Sequence, residues 1–83
     1  MKLNLRYFAS LREALGPGET VEVADGLTLG ELRDLLLARS PAHAQALARS
    51  RALRCALDQL LVDESARPRD GAEVAFFPPV TGG

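Results

Sequence analysis

Only one stretch of this chain repeats large apolar residues at helical spacing: Leu29, Leu32, Leu35 and Leu36 share one side of a helix that ends at Ser40-Pro41. Thr28 stands three residues before Glu31, the spacing of a capping box, so the start of that helix is written into the sequence. The other strongly patterned segments alternate polar with apolar residues. One main helix must therefore cover one face of a sheet, which is an α+β arrangement.

The alternation supplies the strands. In residues 2–8, Leu3, Leu5 and Tyr7 share one face, while Lys2, Asn4, Arg6 and Phe8 share the other. Residues 9–15 have helix-favouring composition and stop at Gly16-Pro17-Gly18, after which Thr20–Ala24 alternates again and closes at Asp25-Gly26. Residues 42–51 are rich in alanine, with Leu47 as their one large apolar residue, and fit either a short second helix or an irregular loop. Further on, Leu53, Cys55 and Leu57 point inward on one strand, Asp58-Gln59 makes a turn, Leu60-Leu61-Val62 forms a short strand, and residues 73–77 form the last. The polar segment 63–71 ends in the turn signal Asp70-Gly71. The resulting order, with the main helix after two strands and three more strands behind it, is that of a β-grasp, ubiquitin-like fold with a mixed sheet.

Composition narrows the chemistry. With 83 residues, the chain has room for one core. Ten Lys plus Arg against eleven Asp plus Glu leave a net charge of −1, so there is no basic field for nucleic acid or an anionic membrane. No apolar run reaches the roughly 20 residues that cross a bilayer, and the first residues lack a signal-peptide core, so a cytoplasmic location is expected. Cys55 is the single cysteine and His43 the single histidine, which excludes an intrachain disulfide and a structural zinc site. No Ser-His-Asp set, Cys-His pair or phosphate-cradling glycine loop is present, so the chain alone is expected not to be an enzyme. Strand parity sends Cys55 into the core as an inert thiol. His43, in the Ala-rich segment, is expected on the solvated surface without a role.

The end of the chain is its most informative part. A domain spanning residues 1–77 is expected to give way to an extended tail, 78–83, of Pro78, Pro79, Val80, Thr81, Gly82 and Gly83. Two prolines cannot continue a strand ladder and favour an extended path, so the six residues form a flexible arm of at most about 20 Å. Two glycines without Cβ let a terminal carboxylate pass along a narrow channel.

A β-grasp chain ending in diglycine resembles the ubiquitin-like sulfur carriers. The run Phe76-Phe77-Pro78-Pro79-Val80-Thr81-Gly82-Gly83 resembles in particular the MoaD family, the small subunits of molybdopterin synthase. The similarity extends to Tyr7–Glu13, to the helix after Thr28 and to Asp58–Val62, with Asp58 standing where the family is expected to have Asn. This resemblance implies that the Gly83 carboxylate, presented by Gly82, is adenylated by a ubiquitin-activating-enzyme-like adenylyltransferase using ATP and Mg²⁺. A sulfur donor protein then converts it to a thiocarboxylate. The resemblance further implies that the arm enters the large subunit of molybdopterin synthase and passes sulfur to a cyclic pyranopterin monophosphate, and that the chain itself binds no cofactor or metal.

Alternation places Phe8, Phe77 and Leu61 out of phase with the core, on the sheet face away from the helix. An exposed apolar patch there marks a contact surface. With Pro78, Pro79, Val80 and Thr81, these three are the expected partner-binding residues, Arg6 and Arg12 adding a polar rim. Cover from the loop 63–71 is the competing account of the two phenylalanines. Sulfur carriers for thiamine, cysteine or tRNA thiolation, and ubiquitin-like protein modifiers, share the same activation chemistry and stand as the alternatives.

Overall fold

The computed structural model describes residues 1–79. In chain order the elements are β1 (Lys2–Tyr7), α1 (Ser10–Leu15), β2 (Gly18–Glu22), α2 (Leu29–Leu37), α3 (Pro41–Ala46), β3 (Arg54–Leu57), β4 (Leu60–Val62) and β5 (Glu73–Phe77). The five strands form one open sheet in the order β2-β1-β5-β3-β4. The central β1–β5 pair is parallel, and the other three pairs are antiparallel. A parallel pair needs a long crossover, which here carries the helices and the β3–β4 hairpin. The helices pack on one face, as the β-grasp reading requires.

Period-two patterning explains β1, whose residues alternate between exposed and buried along its whole length. Registry then lines up Tyr7, Phe76, Cys55 and Val62 across four strands on the helix side. Above this row α2 buries Leu29, Leu32 and Leu36. Leu35, which shares the helical pattern, is 54% exposed. The capping box forms as expected: Glu31 N–H donates to Thr28 Oγ1 at 3.1 Å, and Thr28 N–H donates to Glu31 Oε1 at 2.8 Å.

Three boundaries differ from the sequence reading, two in β2 and one in the main helix. β2 begins at Gly18 and ends at Glu22, although alternation alone pointed to residues 20–24. Its start is set by pairing: Gly18 lies opposite Arg6, where a Cβ would collide with the carbonyl oxygen of Leu5. The main helix also stops at Leu37, short of Ser40, and shares its face of the sheet with α1 and α3. The Ala-rich segment resolves into α3, with Pro41 at its first turn and Ser40 Oγ accepting from His43 N–H at 3.1 Å.

His43 corrects an expectation. Its side chain is 15% exposed, not solvated, and its Nε2 lies 2.8 Å from Glu19 Oε2 while its Nδ1 lies 2.7 Å from Ser40 Oγ. The short α3 turns the ring inward, over β2. Arg33 is the other polar surprise, 3% exposed on the buried side of α2. Its guanidinium donates to the carbonyls of Leu47, Ala48 and Arg51 and to Glu64 Oε2, at 2.5–3.1 Å, and so ties the α3–β3 connection to α2.

Candidate docking corner and arm root

The two ends of the parallel β1–β5 pair build the site. Phe8 follows β1 and Phe77 closes β5, so the two side chains emerge on the face that the helices leave open. Their rings meet edge to face, with centroids 6.4 Å apart and planes at 83°. The Arg6 guanidinium sits over the Phe8 ring, 5.6 Å from its centroid, and Arg6 Nη1 lies 3.6 Å from Glu73 Oε1. Phe8, Ala9, Phe77 and Pro78 enclose an open apolar concavity of about 360 Å³. Pro78 is the first residue after β5, so the concavity lies where the segment expected to form the arm begins.

Phe8 stays 40% exposed. The loop 63–71 does not cover it: that loop is engaged on α2, where Leu29 N–H donates to Ala66 O and Gly30 N–H to Glu64 O, and on β1, where Gly71 N–H donates to Lys2 O. No residue of 63–71 lines the concavity, so the loop does not close it.

Leu61 is 61% exposed on the same face but stands apart from the aromatic corner. Ala56 pairs with Leu61 on one side and Ala75 on the other, while Arg54 pairs with Phe77. Strand β3 thus separates Leu61 from Phe77, and the expected patch has two parts, an aromatic corner and an aliphatic edge. Leu60, 71% exposed on β4, is a further bare leucine on that strand, on the opposite face from Leu61. It escaped the sequence reading because parity assigns it to the core side, whereas its place on an edge strand leaves it uncovered. Pro79 is exposed, and Val80, Thr81, Gly82 and Gly83 lie outside the described residues. Arg12 is exposed on α1.

The approach to the corner is conformationally unusual. Ala9 has φ 54° and ψ −130°, and Leu11 N–H donates to Phe8 O at 3.2 Å. These are the marks of a type II′ turn, whose first central residue sits near about 60°, −120° and is ordinarily glycine. The turn reverses the chain at the end of β1 into α1 and leaves Phe8 on the open face. Sequence alone gave no sign of it, since alanine normally argues against a positive φ.

The other titratable groups sit elsewhere. Cys55 is buried, its Sγ 3.4 Å from Val62 O, and burial together with the negative charges of Glu64 and Asp63 pushes its thiol up from the ordinary value. A neutral buried thiol is a poor nucleophile. Among the described residues, no group of three His, Cys, Asp or Glu side chains could hold a metal ion, and no helix is long and apolar enough to cross a membrane.

Comparison with known proteins agrees with this architecture. The chain is 42% identical to the molybdopterin synthase sulfur carrier subunit of Escherichia coli K12, over 98% of this chain and 99% of that protein. The crystal structure of the small archaeal modifier protein 1 of H. volcanii superposes with a TM-score of 0.76 at 25% identity, covering 95% of this chain and 98% of that one. A chain from the protein–protein complex of subunits 1 and 2 of the molybdopterin-converting factor of Helicobacter pylori 26695 covers both chains fully with a TM-score of 0.70, and at 24% identity it speaks to the fold alone. The family model of ThiS matches residues 5–83, which include both the aromatic corner and the diglycine end. The chain belongs to the ThiS family, the ubiquitin-like sulfur carriers that its final residues pointed to.

Proposed function

We propose that this protein is the sulfur carrier and small subunit of a molybdopterin synthase, with Gly83 as the reacting residue and the Phe8–Phe77 corner as the surface that seats on the large subunit. The observation that carries this reading is full-length identity of 42% to a molybdopterin synthase sulfur carrier subunit. An open aromatic concavity at the root of a Pro-Pro-Val-Thr-Gly-Gly arm supports it.

The chemistry follows from what a carboxylate lacks. A carboxylate is a poor electrophile until one oxygen becomes part of a good leaving group. In the proposed sequence, a Gly83 carboxylate oxygen attacks the α-phosphorus of ATP on a separate adenylyltransferase, and pyrophosphate leaves. A sulfide-level nucleophile from a sulfur donor protein then attacks the carbonyl carbon, AMP leaves, and the terminus becomes a thiocarboxylate. On the large subunit that sulfur attacks a carbon of a cyclic pyranopterin monophosphate as the oxygen substituent of that carbon leaves, and water then cleaves the resulting thioester, returning the acyl carbon to a carboxylate and leaving the thiol on the pterin. Mg²⁺ belongs to the ATP step and acid–base groups to the partners; this chain contributes the arm, the corner and the terminal carbonyl.

The test is intact mass after incubation with the adenylyltransferase, ATP, Mg²⁺ and a sulfur donor, followed by product formation with the large subunit. Replacement of one terminal oxygen by sulfur, and dithiolene formation dependent on it, are expected. An unchanged mass would refute the reading. Likeness to a small archaeal modifier protein favours a second use of the same activated terminus, isopeptide formation on other proteins. Lys2 is the sole internal lysine, so self-linked chains have one acceptor at most. Adducts at the mass of carrier plus target, formed without any sulfur donor, would mark that use.

A further inference from the structure

Ala9 occupies a backbone position that glycine fills more easily, and it lies where the proposed docking surface is made. Its φ of 54° is one of three positive values at non-glycine residues among the described residues, the others being Asp58 and Gln59 in the β3–β4 turn. Asp and Asn tolerate such angles better than alanine, whose Cβ meets the backbone without any compensating polar contact. Strain kept at a surface position calls for a reason in what the side chain touches. Ala9 lines the concavity with Phe8, Phe77 and Pro78. Glycine would leave the concavity wider on that side and release the turn that aims Phe8 at the open face.

We propose that Ala9 is a positioning residue of the docking corner, its methyl held in a strained turn so that it walls the concavity and fixes Phe8 beside Phe77 for the large subunit. This rests on the reading of the corner as the large-subunit surface. The strain and the contact make opposite demands on the same residue. Relieving the strain stabilises the free protein, while losing the methyl and the fixed turn weakens the complex.

The experiment measures thermal midpoint and affinity for the isolated large subunit in wild type, Ala9→Gly, and a chemically synthesised chain with D-alanine at position 9. D-alanine accepts a positive φ without strain but directs its methyl elsewhere. Both variants are expected to melt about 4 °C or more above wild type. Both are expected to bind the large subunit about fourfold or more weakly, the loss that one buried methyl group implies. Gln59→Gly relieves a positive φ in the hairpin turn and serves as the control, melting higher with unchanged affinity. Stabilised Ala9 variants that bind as well as wild type would overturn the inference, and so would Ala9→Gly melting lower. Absence of binding by wild type would instead overturn the reading of the corner as a docking surface, and this inference with it.

Discussion

The Tyr7 hydroxyl donates to Glu19 Oε2 at 2.8 Å, joining a core strand to an edge strand through a polar contact at the rim of the core. Tyr7 is 1% exposed, and the same carboxylate oxygen lies 2.8 Å from His43 Nε2. Arg39 Nη2 lies 3.7 Å from the other oxygen. Burial alone would raise the Glu19 carboxyl, but the hydrogen bonds from His43 and Tyr7 and the charges of His43 and Arg39 outweigh it and hold the group below the usual 4.5. Burial first, then the bond to Glu19 and its charge, push Tyr7 far above the usual 10.0.

Stability should therefore fall at both ends of the pH scale. Glu19 is depressed in the folded state, so its contribution is complete above 4.5 and is lost as pH falls through the lower folded value. Tyr7 is raised, so its contribution is complete below 10.0 and declines as pH climbs beyond it, where the unfolded phenol ionises first. Thermal midpoints across pH should show a shallower acid limb in Glu19→Gln and a shallower alkaline limb in Tyr7→Phe. Mutant limbs that superpose on those of wild type would contradict this assignment.

Removing either ring of the aromatic corner should spare the fold and damage the complex. Anchoring aromatics in a partner's pocket dominate interface energies, so Phe8→Ala or Phe77→Ala should weaken large-subunit binding by about 2 kcal/mol or more. Calorimetric titration with circular dichroism of each variant is the check. Native spectra with wild-type affinity in both would remove the corner from the interface.

Arg33 should be among the least replaceable polar residues. Arg33→Leu takes the donor from the carbonyls of Leu47 and Arg51, leaves Ala48 O with the Arg51 N–H alone, and leaves Glu64 without one of its partners, a loss of about 3 kcal/mol or more. Arg33→Lys should recover little, because a single ammonium cannot reproduce the guanidinium fork. Urea denaturation of the two variants measures this, and a lysine variant as stable as wild type would show that charge alone suffices.

The β3–β4 turn offers a gain. Asp58 and Gln59 have φ 49° and 70°, and Glu73 N–H donates to Asp58 Oδ1 at 2.9 Å, which gives Asp58 a reason to stay. Gln59→Gly should raise stability by about 0.5–1 kcal/mol by removing the Cβ penalty. A lower denaturation midpoint would mean that the glutamine side chain matters more than its backbone strain. Asp in place of the Asn expected from the family thus keeps the turn and the bond from β5, which either side-chain oxygen can accept.

What the sequence determined by itself was everything that depends on neighbours along the chain. Alternation in residues 2–7 and 73–77 named the buried faces, the Thr28–Glu31 spacing placed the start of α2, and the run from Phe76 to the final diglycine carried the resemblance to the sulfur-carrier family. Tertiary structure decided what depends on residues far apart: the start of β2, set by Leu5 opposite Gly18; the inward turn of His43, set by Glu19; and the burial of Arg33, set by carbonyls of the segment after α3. It also split Leu61 from Phe77 and put Ala9 into a glycine conformation at the root of the arm. Periodicity reports which face a side chain takes, but the partner it meets there is chosen by strand order and registry, and those are fixed only when distant segments pack.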